Sequence, residues 1–175
     1  MKIIFLDYDG VVNNLVFQDV NGEPNFNFPG VEQVSDMQAV AWLNKVIREH
    51  PDTKIVVSST WRGRDDYKEC LTRAGFRGEI IGRTTINHYG ARGLEIQDWL
   101  DSHQELDIED FIILDDDSDM CHLMDHLIKT DTILGMNYYT YEKICDRWRK
   151  PVIHIRLRLN LLNRLPQKAG KYDLF

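Results

Sequence analysis

Two aspartates one residue apart, Asp7 and Asp9, close the apolar run Ile3-Ile4-Phe5-Leu6 and are followed by Gly10. In a strand, residues i and i+2 share a side, so both carboxylates leave the strand end together and the glycine lets the chain turn away. Carboxylates held that close repel unless a cation or a shared proton lies between them. Mg²⁺, a hard ion that takes oxygen ligands, meets that demand. An aspartate is also able to attack a phosphoryl group while its neighbour supplies and removes protons.

Two more apolar runs end in polar chemistry. Ile55-Val56-Val57 leads into Ser58-Ser59-Thr60-Trp61-Arg62, and Phe111-Ile112-Ile113-Leu114 leads into Asp115-Asp116-Asp117-Ser118-Asp119. In open α/β sheets the ligand site lies outside the carboxyl ends of the strands, so these distant segments converge if their strands are parallel neighbours.

The pattern around them supplies such a scaffold. Strands are expected at 2–7, 54–58, 79–82, 111–115 and about 126–130. Ala39, Trp42, Leu43, Val46 and Ile47 recur at helical spacing, with Asp36 as the cap and His50-Pro51-Asp52 as the stop. Tyr67, Leu71 and Ala74, closed by Gly75, mark a second helix, and Leu94, Ile96, Trp99 and Leu100 a third. Tyr138-Tyr139-Thr140-Tyr141 reads as a core-facing aromatic lid before a last helix through Ile144, Cys145 and Trp148. Alternating strands and helices predict an α/β fold, a Rossmann-like three-layer α/β/α sandwich with a mostly parallel sheet. Between Asn13 and Pro29 the alternation breaks, and Asn21-Gly22 between short extended runs predicts a β-hairpin.

Composition fits one ordinary domain. The chain has 175 residues, 43% of them hydrophobic, enough for a single well-buried core. No run reaches the roughly 18 apolar residues of a membrane span. No signal peptide is expected, and three scattered cysteines, Cys70, Cys121 and Cys145, suit reduced thiols in the cytoplasm. His122 and His126 would share a helix face but lack a third metal ligand, so packing is the expected role. Charge is uneven: residues 1–142 carry 12 basic and 26 acidic side chains, whereas 143–171 carry 9 basic and 1 acidic. The basic segment suits contact with a nucleic-acid backbone or an anionic partner, docking on the acidic body, or a solvated face. Within it, residues 153–159 alternate as a strand with a basic outer side.

The D-x-D-G-V of residues 7–11, the strand-end serines, a basic residue before a helix and the acidic cluster at 115–119 resemble the haloacid dehalogenase (HAD) superfamily of phosphohydrolases. Ser58-Ser59-Thr60-Trp61-Arg62, Ile81-Gly82-Arg83-Thr84, Arg92-Gly93-Leu94-Glu95-Ile96, Trp99-Leu100 and Leu114-Asp115-Asp116-Asp117 are similar to its subgroup associated with RNA-repair proteins. The resemblance covers roughly residues 1–148. It implies a Mg²⁺-dependent phosphatase with Asp7 as nucleophile and metal ligand and Asp9 as general acid and base, also beside the metal. Ser58 or Ser59 would hold a phosphoryl oxygen, and Asp115 would complete the Mg²⁺ shell with Asp116 or Asp119 beside it. Gly10, Thr60, Arg62 and Arg83 are expected to line the substrate. The family's usual lysine is missing; Arg92 matches its place in the subgroup, with Arg83 the alternative. The expected hairpin resembles the family's flap, at about residues 13–29, and no large cap domain fits.

The reading is therefore a HAD-like domain at 1–149 with a basic extension at 150–175. Its substrate would be a phosphorylated small molecule, a nucleotide or a nucleic-acid end, and the protein a monomer or weak dimer with no membrane contact. The alternative is a non-catalytic phosphate-sensing or partner-binding module on the same fold.

Overall fold

Apolar runs this continuous belong to strands covered on both sides, and they form a parallel sheet in the computed structural model, which describes residues 1–21, 35–87 and 91–149. The strands are β1 (Lys2–Leu6), β2 (Thr53–Val57), β3 (Glu79–Arg83), β4 (Asp110–Asp115) and β5 (Leu127–Lys129). Their order is β3-β2-β1-β4-β5, with every neighbour parallel. β1 is central, and its Ile3, Ile4, Phe5 and Leu6 are fully buried.

Side-chain alternation divides the core in two. Ile4, Leu6, Ile55, Val57, Ile112 and Leu114 pack with α2 (Met37–Glu49), α3 (Tyr67–Arg73) and α5 (Tyr138–Arg149). Ile3, Phe5, Val56 and Ile113 face α4 (Arg92–Ser102), whose Ile96 and Trp99 join Met120 and Leu123 in the second cluster. Each large apolar side chain buried this way contributes roughly 1.5–3 kcal/mol. Helices on both faces of a parallel sheet make the expected α/β/α sandwich.

Asp36 caps α2 as expected, its carboxylate accepting from the Gln38 N–H at 2.8 Å. The hairpin is a correction. Leu15–Asn21 is a helix, α1. Asn14 decides it: its Oδ1 accepts from the Phe17 N–H at 2.9 Å, and its carbonyl receives the Gln18 N–H at 3.0 Å. An Asn that caps a helix opposes the strand pairing that Asn21-Gly22 invites. The rest of the expected flap, residues 22–29, lies outside the described residues, as does the 150–175 extension.

The aromatic lid is corrected too. Tyr138 and Tyr139 belong to α5 and are exposed, while Tyr141 is buried. His122 bonds Gln97 at 2.9 Å and His126 stacks on Phe111, so the two rings share no ligand site. Among the described residues no helix is long and apolar enough to cross a membrane.

Candidate active site

The strand ladders deliver the polar residues in a row. Leu6 pairs with Val57 on one side and Leu114 on the other, so Asp7, Ser58 and Asp115 come next on three adjacent strands. Backbone bonds extend the ladder past the apolar runs, from the Asp7 N–H to Leu114 O and from the Ser58 N–H to Leu6 O, both 2.9 Å. By alternation Asp7 follows Phe5 and Asp115 follows Ile113, which turns both carboxylates toward α4.

The first residue of α4 meets them there. Arg92 places one terminal nitrogen 3.2 Å from Asp7 Oδ1 and its Nε 3.3 Å from Asp115 Oδ2, and it also donates to the Ser58 carbonyl. Gly93 permits this approach: a Cβ there would overlap the Met120 carbonyl, while its N–H bonds Asp119 O at 3.2 Å. Carboxylate oxygens of Asp7, Asp115 and Asp116 lie within 4.8 Å of one another. Gly10 makes room for the third, because it has φ +65° and any Cβ would run into the Asp116 carboxylate. Asp116 is held from the other side by the Thr132 hydroxyl at 2.7 Å.

Burial sets the electrostatics. Asp7 is 5% exposed and Asp115 is 0% exposed. Desolvation raises the Asp7 pKa, opposed by Arg92 and by the Ser59 hydroxyl that bonds its carboxylate. Desolvation and then the Asp7 charge push Asp115 up to about 7, with Arg92 pulling the other way. The Asp115 Oδ2 accepts no hydrogen bond. Three crowded carboxylates, two of them paired with the partly buried Arg92, form a site rich in oxygen donors.

Asp9 stands beside this group rather than in it. Its Oδ1 accepts from Asn13 Nδ2 at 2.7 Å and its Oδ2 from Trp61 Nε1 at 2.9 Å. Asp119, also expected at the metal, directs its Oδ2 to the Arg92 backbone N–H at 3.1 Å, so it fixes the start of α4. The two serines are told apart: Ser59 bonds Asp7, whereas the Ser58 hydroxyl is buried without a partner.

The two arginines expected to line the substrate are engaged by the protein itself, Arg62 donating to the Ser58 carbonyl beside Asp7. Arg62 is 5% exposed and forms a buried ion pair with Glu95. Arg83 donates to Arg62 O at 2.6 Å and lies over the Tyr67 ring. Thr60 is exposed at the start of the 3-10 turn Thr60–Gly63. Sequence reasoning missed Asn13, Trp61 and Glu95. The tryptophan two residues after Ser59 was the available signal; nothing in the sequence tied Glu95 to Arg62.

The parallel sheet and the acidic cluster at its carboxyl edge define a HAD-like α/β protein. A family model described as the HAD domain in Swiss Army Knife RNA repair proteins matches residues 3–140, and the chain belongs to that family. The family is generally one of hydrolases with phosphatase-like function and typically uses a metal, with which the acidic group is compatible. No curated protein matches the chain. Among solved structures, the chain is similar to the HAD domain of effector protein Lem4 from Legionella pneumophila, at 18% identity and a TM-score of 0.46. That match covers 83% of this chain and 92% of the other.

Proposed function

We propose that this chain is a Mg²⁺-dependent phosphomonoester hydrolase that works through an aspartyl-phosphate on Asp7. The observation that supports it best is the Asp7, Asp115 and Asp116 oxygens gathered within 4.8 Å at the strand ends. The donor set fits the ion, being all oxygen, with a fully buried Asp115 Oδ2 that accepts no hydrogen bond. Asp7, Asp115 and Asp116 would hold it, and it would neutralise charge on the phosphoryl group in transfer.

The chain's own residues account for the rest. An Asp7 oxygen attacks phosphorus, the ester P–O bond breaks, and Asp9 gives its proton to the departing oxygen. Asp9 then takes a proton from water, whose oxygen attacks the same phosphorus and frees the Asp7 carboxylate and inorganic phosphate. Asn13 and Trp61, one on each oxygen, fix the orientation of Asp9. Arg92 and the Ser59 hydroxyl lie against Asp7, where charge on the transferring group develops.

For the substrate we favour a nucleotide or a terminal phosphate on a nucleic acid. The RNA-repair description of the family and the basic residues of 143–171 support this choice. Turnover of a 3′-phosphorylated oligonucleotide, a 5′-phosphorylated one and free mononucleotides should differ by at least tenfold. Equal or absent turnover on all three, with an aryl phosphate still hydrolysed, would remove the nucleic-acid assignment.

A further inference from the structure

The first turn of α4 carries two residues that face the same way, Arg92 and Glu95, and only one of them touches the acidic site. Glu95 is 4% exposed and pairs with Arg62, while its other oxygen accepts the Asn87 N–H at 3.2 Å. Arg62 comes from the 3-10 turn after β2 and donates to the Ser58 carbonyl. Arg92 donates to that same carbonyl. Two guanidinium groups thus converge on one backbone oxygen at the end of β2, with Asp7 next to it just past the end of β1.

Like charges this close repel, and each needs its own carboxylate. Arg92 has Asp7 and Asp115; Arg62 has Glu95. Without Glu95, the nearest compensation for Arg62 would be Asp7, whose charge already acts on it. The two arginines would then compete for one carboxylate.

We propose that Arg62 and Glu95 are positioning residues: their buried pair locks the first turn of α4 to the end of β2, keeps Arg62 off Asp7, and so sets Arg92 against it. The pair reaches no substrate and acts only through Ser58 O and Arg92. Its catalytic consequence rests on the phosphatase reading; its structural consequence does not.

A buried ion pair is often replaceable by apolar residues of similar volume with no loss of stability, whereas removing one partner strands a charge. The double variant Arg62→Met/Glu95→Leu therefore separates positioning from stability, and Glu95→Gln serves as the single-partner comparison. Two readouts are needed. The first is the Nε–H resonance of Arg92 in a ¹⁵N-labelled protein, assigned by its absence in Arg92→Lys. The second is kcat and KM on an aryl phosphate with Mg²⁺.

In the native protein the Arg92 Nε–H signal should be sharp and slow to exchange. In the double variant, folded to the same melting temperature or higher, it should shift or broaden away, and kcat should fall at least tenfold with KM within about threefold. Restoring both native residues should recover both readouts, and Arg62→Lys, which keeps the charge but not the fork, should fall between. An unchanged Arg92 signal in the folded double variant would overturn the proposal, whatever the turnover, and so would a native kcat. Absence of turnover in the native protein would count against the phosphatase reading instead, and the Arg92 signal would still decide this one.

Discussion

Replacing Asp115 with asparagine should flatten the pH dependence of stability in the metal-free protein. Asp115 is fully buried, and its pKa is pushed from 3.8 to about 7, chiefly by desolvation and next by the Asp7 charge. A carboxyl group whose folded pKa is raised binds more protons in the folded chain than in the unfolded one. Stability is therefore untouched below pH 4, falls between pH 4 and 7 as only the unfolded chain ionises, and stays low above that. At about 1.36 kcal/mol for each pH unit, the loss reaches at most on the order of 4 kcal/mol. The Asn variant escapes that loss but gives up the Arg92 contact at 3.3 Å, so a net gain of about 2 kcal/mol at pH 8 is expected.

The assay is urea unfolding in EDTA from pH 4 to pH 8, comparing native protein and variant. Their difference reports Asp115 and its interaction with Asp7, because Asp66 and Glu49, whose pKa values are lowered by Arg64 and Tyr141, titrate in both. Asp7 is raised by burial as well, so some downward slope persists in the variant. Saturating Mg²⁺ should stabilise the native protein by about 2.7 kcal/mol at a hundred times its Kd, and the variant by much less. Parallel stability curves for the two proteins across pH 4 to 8 would refute the reasoning.

Three further substitutions probe the site's supports. Gly10→Ala puts a methyl group into the Asp116 carboxylate at a φ of +65°, so it should cost about 1–2 kcal/mol in urea unfolding and weaken Mg²⁺ binding by calorimetry at least tenfold. Trp61→Phe keeps the ring stacked edgewise near Tyr8 but deletes the N–H that holds Asp9, so kcat should drop roughly tenfold, equivalent to ~1.4 kcal/mol, with the melting temperature nearly unchanged. Gly93→Ala forces α4 off the Met120 carbonyl and carries Arg92 with it, so both stability and turnover should fall, the latter by more than tenfold.

Much of this architecture is legible in the chain. Ile3–Leu6, Ile55–Val57 and Phe111–Leu114 are too uniformly apolar for anything but central strands, and their polar ends announce where the site lies. Asp36 announces its helix equally well, because a carboxylate before an apolar period of 3.6 has one common use. The failures have specific causes. Asn21-Gly22 looked like a hairpin turn because the competing cap, Asn14, acts through a side-chain bond that no periodicity records. Arg62 looked like a substrate ligand because its partner Glu95 lies 33 residues away in sequence. Which serine faces Asp7 depends on how the chain leaves β2, and the Ser59 backbone at the start of the 3-10 turn answers that. Asp119 has a second task that its place in an acidic run does not reveal: its Oδ2 accepts the Arg92 N–H, while its Oδ1 is buried without a hydrogen-bond partner.

The central claim is that Asp7 carries the phosphoryl group. Hydrolysis of an aryl phosphate by native protein and Asp7→Asn, each with Mg²⁺ and with EDTA, tests it most directly. The account predicts turnover that needs the metal and disappears in Asp7→Asn, with an acid-quenched native sample showing added phosphate on Asp7 by mass spectrometry. Metal-dependent turnover that survives in Asp7→Asn would contradict it.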